Sequence, residues 1–556
     1  MILNFNNLTS DQKKQIDIIY HELENEFQIL QRELYEKNKN NKDFFFSNIA
    51  SRNNDENEIY YNLCIIELCL RLHAKNLLTK IITKNEAQKK ILIQKIKNIE
   101  IISSKEKNIF LKNILNLKKN IYYVFQLWIN KDIERCEKIK NLKKIILIDI
   151  FFVPKMFSNG IFENRYYGNF LEKIDKEKYN IIYLPTIFQR SLKKKYIYQA
   201  EKKINLFLQS DFLKLKDYIQ CLTFHKRIKS INLSNLNFRS LKIDYFIKSE
   251  LENHKFNQST LKSLINFHCF KRMKQNEIDI SLVIDWYENQ IIDKGFNYGK
   301  NIFYPDVVSK GYVGLNSIFE SNKNFIPSDI EISKNITPNQ ICLISSKYLE
   351  KFKKIKKNVK FYLAPAFRSS KLFDEDNFKK IKNYNKNDNI KILINFTGFH
   401  KDNIEMMSLV NQCKILESKE VNVFLRPHII SKKSFFSKIV SKKIKYNFSI
   451  KSFYEEMKDT DILISRSSTA CFESLVFGVP VLITRRSGGF LPIKNYETFP
   501  ANSWFFNNDQ FDLEKNIKKI ISNKKKYIIQ NIAEKRKLLN EYFYPITHKN
   551  IANFLR

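Results

Sequence analysis

The chain is expected to be an α/β protein in which two doubly wound parallel sheets face a cleft, with an additional helical region at the N-terminus. Three observations lead there. Short apolar runs such as Ile462-Leu463-Ile464 recur without polar alternation, as strands covered on both faces do. Amphipathic helical patterns separate these runs, so strand and helix alternate. The alternation occurs twice, with a glycine- and proline-rich section between, which implies two sheets and a hinge.

Residues 1–75 form the helical N-terminal region. Within it, 12–37 places Leu23, Phe27, Leu30 and Leu34 at helical spacing, and 64–72 is a second, apolar helix. Residues 76–340 form the first sheet domain, with strands expected at 78–82, 99–103, 144–153, 181–187 and 278–286. Helices are expected at 86–97, up to about residue 140, at 166–176 and over most of 191–277. The section 287–340 carries Gly295, Gly299, Pro305, Gly311, Gly314, Pro327 and Pro338, and is expected to be a loop-rich hinge. Residues 341–525 form the second sheet domain, with strands at 341–344, 359–364, 390–396, 421–425, 462–464 and 481–483. A long helix over 513–539 follows, and 526–556 is set apart as a C-terminal helix and tail.

With 556 residues the chain is too long for one ordinary core. Its 43% hydrophobic content marks it as globular. The formal net charge of +38 points towards nucleic acid or an anionic membrane. Lysine, asparagine and isoleucine are inflated together in every segment, however, which is the mark of an AT-rich genome. The lysines are scattered and form no single arm, so nucleic acid is not expected as a partner. A basic skin that settles on anionic lipid or phosphorylated substrates suits the composition better. The eight cysteines form no Cys-x-x-Cys pair and no Cys/His cluster, and are expected to be reduced, buried hydrophobes. No metal is expected. There is no G-x-x-x-x-G-K-[ST], no G-x-G-x-x-G and no G-x-S-x-G. No signal peptide is visible and no apolar run reaches the ~18 residues of a membrane span, so a cytoplasmic protein is expected.

The most informative stretch is 461–483, DILISRSSTACFESLVFGVPVLI. It reads as a buried strand, a small-hydroxyl turn, a short helix, a Gly-Val-Pro break and a second buried strand. Ser467, Ser468 and Thr469 stand where the helix begins, and hydroxyls there either cap the helix or hold a phosphate against its unpaired N–H groups. Glu473, on an otherwise apolar helix, is either an exposed acid near the helix start or a ligand for a sugar hydroxyl.

Three other strand ends carry chemistry-bearing side chains. At 285–294, Asp285, Glu288, Asn289 and Lys294 follow the strand 278–286. Glu288 is the preferred general base and Asp285 the alternative, while Asn289 and Lys294 are placed to orient an acceptor hydroxyl or a phosphate. A helix cap by Asp285 or Asn289 is the competing explanation. At 424–428, Arg426 and His428 flank a proline and are suited to a diphosphate. At 395–400, Thr397 and Gly398 allow a phosphate to approach the backbone. Arg485 and Arg486 follow the strand 481–483 and are either a phosphate grip or a solvated pair.

These residues carry a resemblance. The segments 461–483 and 424–429 (FLRPHI) resemble the donor-binding domain of GT-B glycosyltransferases, enzymes of two Rossmann-like domains that use nucleotide sugars without a metal. Arg426-Pro427-His428 followed downstream by Ser467-Ser468 is also similar to the CDP-glycerol glycerophosphotransferases of teichoic-acid synthesis. The segments 285–314 and 365–368 (PAFR) resemble transferases of bacterial surface-carbohydrate (O-antigen, lipopolysaccharide) biosynthesis. The resemblance spans roughly residues 140–500.

It implies an acceptor domain at 76–340 and a donor-nucleotide domain at 341–525. Ser467, Ser468 and Thr469 would contact the donor diphosphate, with Thr397 and Gly398 beside it, and Glu473 would hold the ribose or sugar. Arg426 and His428 would neutralise the leaving phosphate. Glu288 or Asp285 would take the proton of the acceptor hydroxyl. The implied partners are a nucleotide-sugar donor, a saccharide or lipid-linked saccharide acceptor, and peripherally the anionic inner face of the cell membrane. No cofactor is implied beyond the nucleotide sugar, which is substrate. The first sheet lacks the glycine-rich loop of many such enzymes, which leaves acceptor placement open. A polyol-phosphate transferase with a CDP-linked donor and a non-catalytic scaffold of the polysaccharide machinery are the alternatives.

Overall fold

The computed structural model describes residues 1–53, 56–104, 109–153, 156–157, 161–168, 170–174, 178–187, 194–316, 325–374, 389–428, 431–466, 468–485, 503–529 and 531–556. It is an α/β molecule with two six-stranded parallel sheets, each Rossmann-like, and a smaller three-stranded sheet at the N-terminus.

The N-terminal region differs from a purely helical one. β1 (Ile2–Asn4) pairs in parallel with β2 (Lys80–Thr83), and β2 with β3 (Glu100–Ser103). The strands expected near 78–82 and 99–103 therefore exist, but they close their own sheet and do not join the first large one. The expected helix over 12–37 is two helices, Ser10–Glu22 and Glu24–Lys37, parted at Leu23. The helix Ile59–Ala74 is buried nearly all round, which is why its sequence is apolar without a clear stripe.

The first large sheet begins with β4 (Ile145–Phe152), all eight residues of which are buried, and β5 (Asn180–Ile187). A short hairpin, β6 (Asn237–Phe238) and β7 (Leu241–Lys242), interrupts the helical section that follows. The sheet continues with β8 (Ile280–Trp286), β9 (Val308–Val313), β10 (Gln340–Leu343) and β11 (Phe361–Leu363). Its order is β11-β10-β9-β8-β4-β5. Two expectations are corrected here. The section 287–340 is not a loop-rich hinge, because it contains the helix Ile291–Phe303 and the internal strand β9. The glycines of that helix serve close packing. A Cβ at Gly295 would lie 2.1 Å from the Ser263 carbonyl oxygen, and one at Gly299 3.0 Å from the Phe267 Cα, both on the helix Gln258–Gln275. The domain boundary also moves. β10 pairs with β9 through Ile341↔Gly311 and β11 with β10 through Phe361↔Ile341, so the second sheet starts near residue 390 and not at 341.

The second sheet comprises β12 (Ile390–Asn395), β13 (Val421–Arg426), β14 (Tyr446–Phe448), β15 (Ile462–Ser465), β16 (Val481–Thr484) and β17 (Trp504–Asn507). Its order is β14-β13-β12-β15-β16-β17. In chain order that is 3-2-1-4-5-6, the dinucleotide-fold order, which reverses between β12 and β15. The first sheet reads 2-1-3-4-5-6 and reverses between β4 and β8. Open α/β sheets take ligands at such reversals, outside the carboxyl ends of the strands.

The carboxyl edges of the two sheets are turned towards each other. Asn316, just past β9, exchanges hydrogen bonds with Thr469, just past β15. The expected long helix over 513–539 is broken into Gln510–Ser522, Lys524–Tyr527 and Ile532–Tyr542, with Asn523 and Asn531 capping the later pieces. The last helix, His548–Leu555, returns to the first sheet. Its Phe554 ring lies against Tyr312 and Phe367, and Lys310 Nζ donates to the Phe554 carbonyl at 2.7 Å. All eight cysteines are free and buried. Among the described residues no helix is long and apolar enough to cross a membrane.

Candidate functional site

At the reversal of the second sheet, β12 and β15 end side by side. Ser465 Oγ donates to the Asn395 carbonyl at 3.0 Å and accepts from Asn395 Nδ2 at 3.3 Å. Beyond β12, Asn403 ties the turn, accepting from the Thr397 amide at 3.0 Å and donating to the Thr397 carbonyl at 2.9 Å. Thr397 and half-buried Gly398 thus lie on a braced turn before the helix His400–Val410. Beyond β15, Ser467 lies outside the described residues. Ser468 is the N-cap of the helix Thr469–Val476 and makes no side-chain cap bond. Its hydroxyl is half-buried, 3.8 Å from Cys471 Sγ.

Thr469 is placed differently from the expectation. Its hydroxyl proton goes to the Asn316 carbonyl at 3.0 Å and its oxygen accepts from the Asn316 amide at 3.1 Å. It pins one sheet to the other, and its diphosphate contact is withdrawn. Glu473 is not an exposed acid. It is 8% exposed, and Oε1 accepts from Ser369 Oγ at 2.8 Å and from Tyr454 OH at 2.9 Å. Oε2 accepts nothing among the described residues.

Arg426, at the end of β13, donates to Ser449 Oγ at 3.2 Å and to the Lys451 carbonyl at 2.9 Å. Its guanidinium sits over the Phe453 ring, 5.6 Å from the centroid. Burial lowers its pKa, against the pull of Glu456 and Glu473. His428 is half-buried on the turn after β13, its carbonyl accepting from the Ser431 amide at 2.9 Å. Arg485, by contrast, is engaged with the N-terminal helix Ser10–Glu22. Its Nη2 donates to Asp17 Oδ1 at 2.6 Å, and its Nη1 to the other Asp17 oxygen, both side chains being buried. Arg486 lies outside the described residues.

At the reversal of the first sheet stands Glu288. Its Oε1 accepts from Trp286 Nε1 at 2.9 Å and Oε2 from Gln290 Nε2 at 2.7 Å. Burial raises its pKa, against those two bonds and the charge of Arg368. A carboxylate held in place with a raised pKa is what general-base work requires. Asp285 is sealed inside the sheet, fully buried, with Oδ2 accepting from Asn297 Nδ2 at 2.5 Å. Burial and the neighbouring Asp149 push its pKa well up. It faces the core, so the alternative role of base is withdrawn from it. Asn289 is 1% exposed and adopts φ +53, a left-handed conformation that asparagine tolerates and that turns the chain after Glu288.

Lys294 is likewise internal. Its Nζ donates to Tyr35 OH at 2.7 Å, to the Ala50 carbonyl at 2.5 Å and to Glu331 Oε1 at 2.9 Å. All three ammonium protons are used, so Lys294 holds structure and not acceptor. Asn289 is too deep to orient an acceptor. Glu331 also meets Arg52 at 3.1 Å. Burial opposes its charge, but Arg52 and Lys294 outweigh burial and hold its pKa at about 2.

Two arginines complete the site and were not singled out from sequence. Arg368, just after β11, bears electrostatically on Glu288, Tyr166 and Tyr454. Arg165, in the turn 161–168, feels Arg368 and Arg426, and burial together with these like charges lowers its pKa. Its Nη1 is buried without a hydrogen-bond partner among the described residues. None of Arg165, Arg368 and Arg426 makes an ion pair among the described residues. Arg368 lies in the PAFR segment, which was a usable signal. Arg165 lies in an aromatic-rich turn with nothing local to mark it. Arg368 near Glu288, Arg426 near Glu473 and Arg165 near both other arginines form a half-buried, net-positive patch suited to a polyanion.

An Asp-x-Asp sequence, Asp459–Asp461, lies at the opposite end of β15. Asp459 pairs with Lys451 at 3.1 Å, and Asp461 accepts from the Lys391 amide at 2.8 Å. No group of three metal-ligating side chains occurs among the described residues.

No protein-family profile matches the chain, and no curated protein matches it. Solved structures similar in shape include UDP-GlcNAc 2-epimerase from Neisseria meningitidis bound to UDP-GlcNAc, at 11% identity and a TM-score of 0.40, covering 74% of this chain and 99% of that one. MurG from Acinetobacter baumannii has 9% identity and a TM-score of 0.39, covering 74% and 99%. A glycosyltransferase from Rickettsia africae has 11% identity and a TM-score of 0.40, covering 74% and 97%. At these values the likenesses carry no argument here, and the two strand orders stand on their own.

Proposed function

We propose that the protein transfers a sugar from a nucleotide-sugar donor to a growing surface polysaccharide or lipopolysaccharide acceptor. The observation that carries this reading is the arginine trio of Arg165, Arg368 and Arg426 between two sheet reversals, with Arg368 near Glu288. The donor diphosphate sits among the arginines and the turns at Thr397-Gly398 and Ser468. Glu473 Oε2 accepts from a hydroxyl of the ribose or sugar. Glu288 takes the proton of the acceptor hydroxyl, the acceptor oxygen bonds to the anomeric carbon, and the bond from that carbon to the diphosphate oxygen breaks. The electron pair leaves on the nucleoside diphosphate, whose charge Arg426, His428 and the other two arginines offset. The reading calls on no metal and no further cofactor. A lipid-linked acceptor would be met at the inner face of the cell membrane.

The test is a thermal-shift series with UDP, CDP, GDP and CMP, since a ligand that binds only the native state raises the melting temperature. A shift with one nucleoside diphosphate, lost in Arg368→Ala, is expected. No shift with any nucleotide would leave the scaffold alternative. Arg426-Pro427-His428 with Ser468 also favours a CDP-linked polyol-phosphate donor. That reaction releases CMP where sugar transfer releases a nucleoside diphosphate, so the nucleotide product separates the two.

A further inference from the structure

The helix Ile109–Ile129 is inside out for a protein in water. Its buried face holds Asn113, Asn120, Tyr123 and Leu127, and Asn120 Nδ2 donates to the Phe256 carbonyl at 3.1 Å. Its exposed face holds Phe110, Leu115, Ile121, Phe125, Trp128 and Ile129. At 3.6 residues per turn these six fall within an arc of about 140°. Phe110 is 74% exposed and Phe125 54%, far more than ordinary for such large rings. The helix Leu215–Leu222 extends the patch. Its Leu215 and Ile219 are exposed one turn apart, and its Tyr218 ring meets Trp128 at 6.0 Å.

We infer that this face docks on an anionic lipid bilayer, with the helix lying in the plane of the interface. The charge pattern selects that occupant. The helix contains Lys112, Lys118 and Lys119 and no acidic residue, and Lys214 and Lys216 flank the neighbouring patch. A large apolar face with aromatic rings and only basic charges is the pattern of an interfacial helix. A second copy of the same face would bring the lysines against one another, which disfavours self-association. The lysines and asparagines also explain why a helix of this length does not span a bilayer. The inference deepens the membrane contact proposed above by naming its surface. Its test reads binding and not transfer, so its failure leaves the transferase reading standing.

The test is co-sedimentation with vesicles of phosphatidylglycerol in phosphatidylcholine, against phosphatidylcholine alone. The chain has three tryptophans, of which Trp286 and Trp504 are buried, so an emission shift on binding reports Trp128. Sedimentation and a blue shift with the anionic vesicles are expected. The combined variant Phe110→Ser, Leu115→Ser, Phe125→Ser is expected to lose partitioning by on the order of 100-fold with its melting temperature unchanged. Vesicles with brominated acyl chains should quench Trp128 in the unaltered protein, which tests the idea even if the variant fails to fold. Absence of sedimentation or of quenching would overturn the inference, as would a triple variant that binds like the parent. So would an ultracentrifugation result in which the parent self-associates without lipid and the variant is monomeric, for the face would then be a protein interface.

Discussion

The two sheet reversals are built from opposite chemistry. At the first, between β4 and β8, the side chains are acids under aromatic cover: Asp149, Asp285 and Glu288 with Trp286, Tyr287 and Tyr166. At the second, between β12 and β15, they are hydroxyls, amides and cations: Thr397, Asn395, Ser468 and Arg426. Burial raises the pKa of Glu288 on one side and lowers that of Arg426 on the other. Low polarity at the join makes each charge costly unless a ligand of opposite charge arrives. The contrast divides the proposed labour. The first edge supplies a base for an acceptor, and the second receives a leaving anion.

The largest expected effect comes from removing the base. Glu288→Gln should lower turnover by about 10²–10⁴-fold with nucleotide affinity retained, measured by product formation and calorimetry. The base acts when deprotonated, so the rate should rise with pH through its raised pKa. An acidic limb at the ordinary glutamate value of ~4.3 would break the account of burial at the first edge.

Next comes the ion pair behind that edge. Lys294→Met leaves Glu331 partly bare and should cost about 3–5 kcal/mol in denaturant unfolding. The sign in pH follows from the low value of Glu331, about 2 in the fold. Its stabilisation is present above the ordinary carboxylate pKa and is lost as pH falls through the folded one. Acid unfolding of Lys294→Met should therefore begin at higher pH than in the parent. Unchanged stability would mean that the pair is not what holds the first edge.

Smaller effects are expected at the arginines. Arg368→Ala should weaken nucleotide binding by about 1.5–3 kcal/mol, and Arg368→Lys should recover only part of it because an ammonium lacks the planar fork. Full recovery by lysine would show that the site reads charge alone. Smallest for the ligand is Thr469→Val, which removes both hydrogen bonds to Asn316 between the sheets and should cost about 1–3 kcal/mol of stability with nucleotide affinity unchanged. Lost affinity at unaltered stability would return Thr469 to the donor side.

Local sequence determined a good deal. The strands β4, β5, β8, β12, β15 and β16 were legible as apolar runs, because strands buried on both faces leave no room for polar alternation. The break after the helix Thr469–Val476 was legible because Gly478 takes φ +81, which L side chains rarely adopt. Glu288 and Arg426 were visible as polar residues at strand ends. Partnership was not legible. β10 and β11 look like the start of a second sheet, and only the pairing of β10 with β9 assigns them to the first. β1 finds β2 across more than seventy residues, and Arg485 finds Asp17 across 468. Lys294 looked like a ligand grip until Tyr35 and Glu331 closed over it. The arginine trio comes from a turn, a short helix after β11 and the end of β13, and only the fold brings Arg165 and Arg368 to Arg426. Periodicity records whether a residue is buried, a local property written every two or 3.6 positions. Which distant strand or charge it is buried against depends on through-space packing, and for parallel strands joined by long crossovers only the tertiary structure decided that.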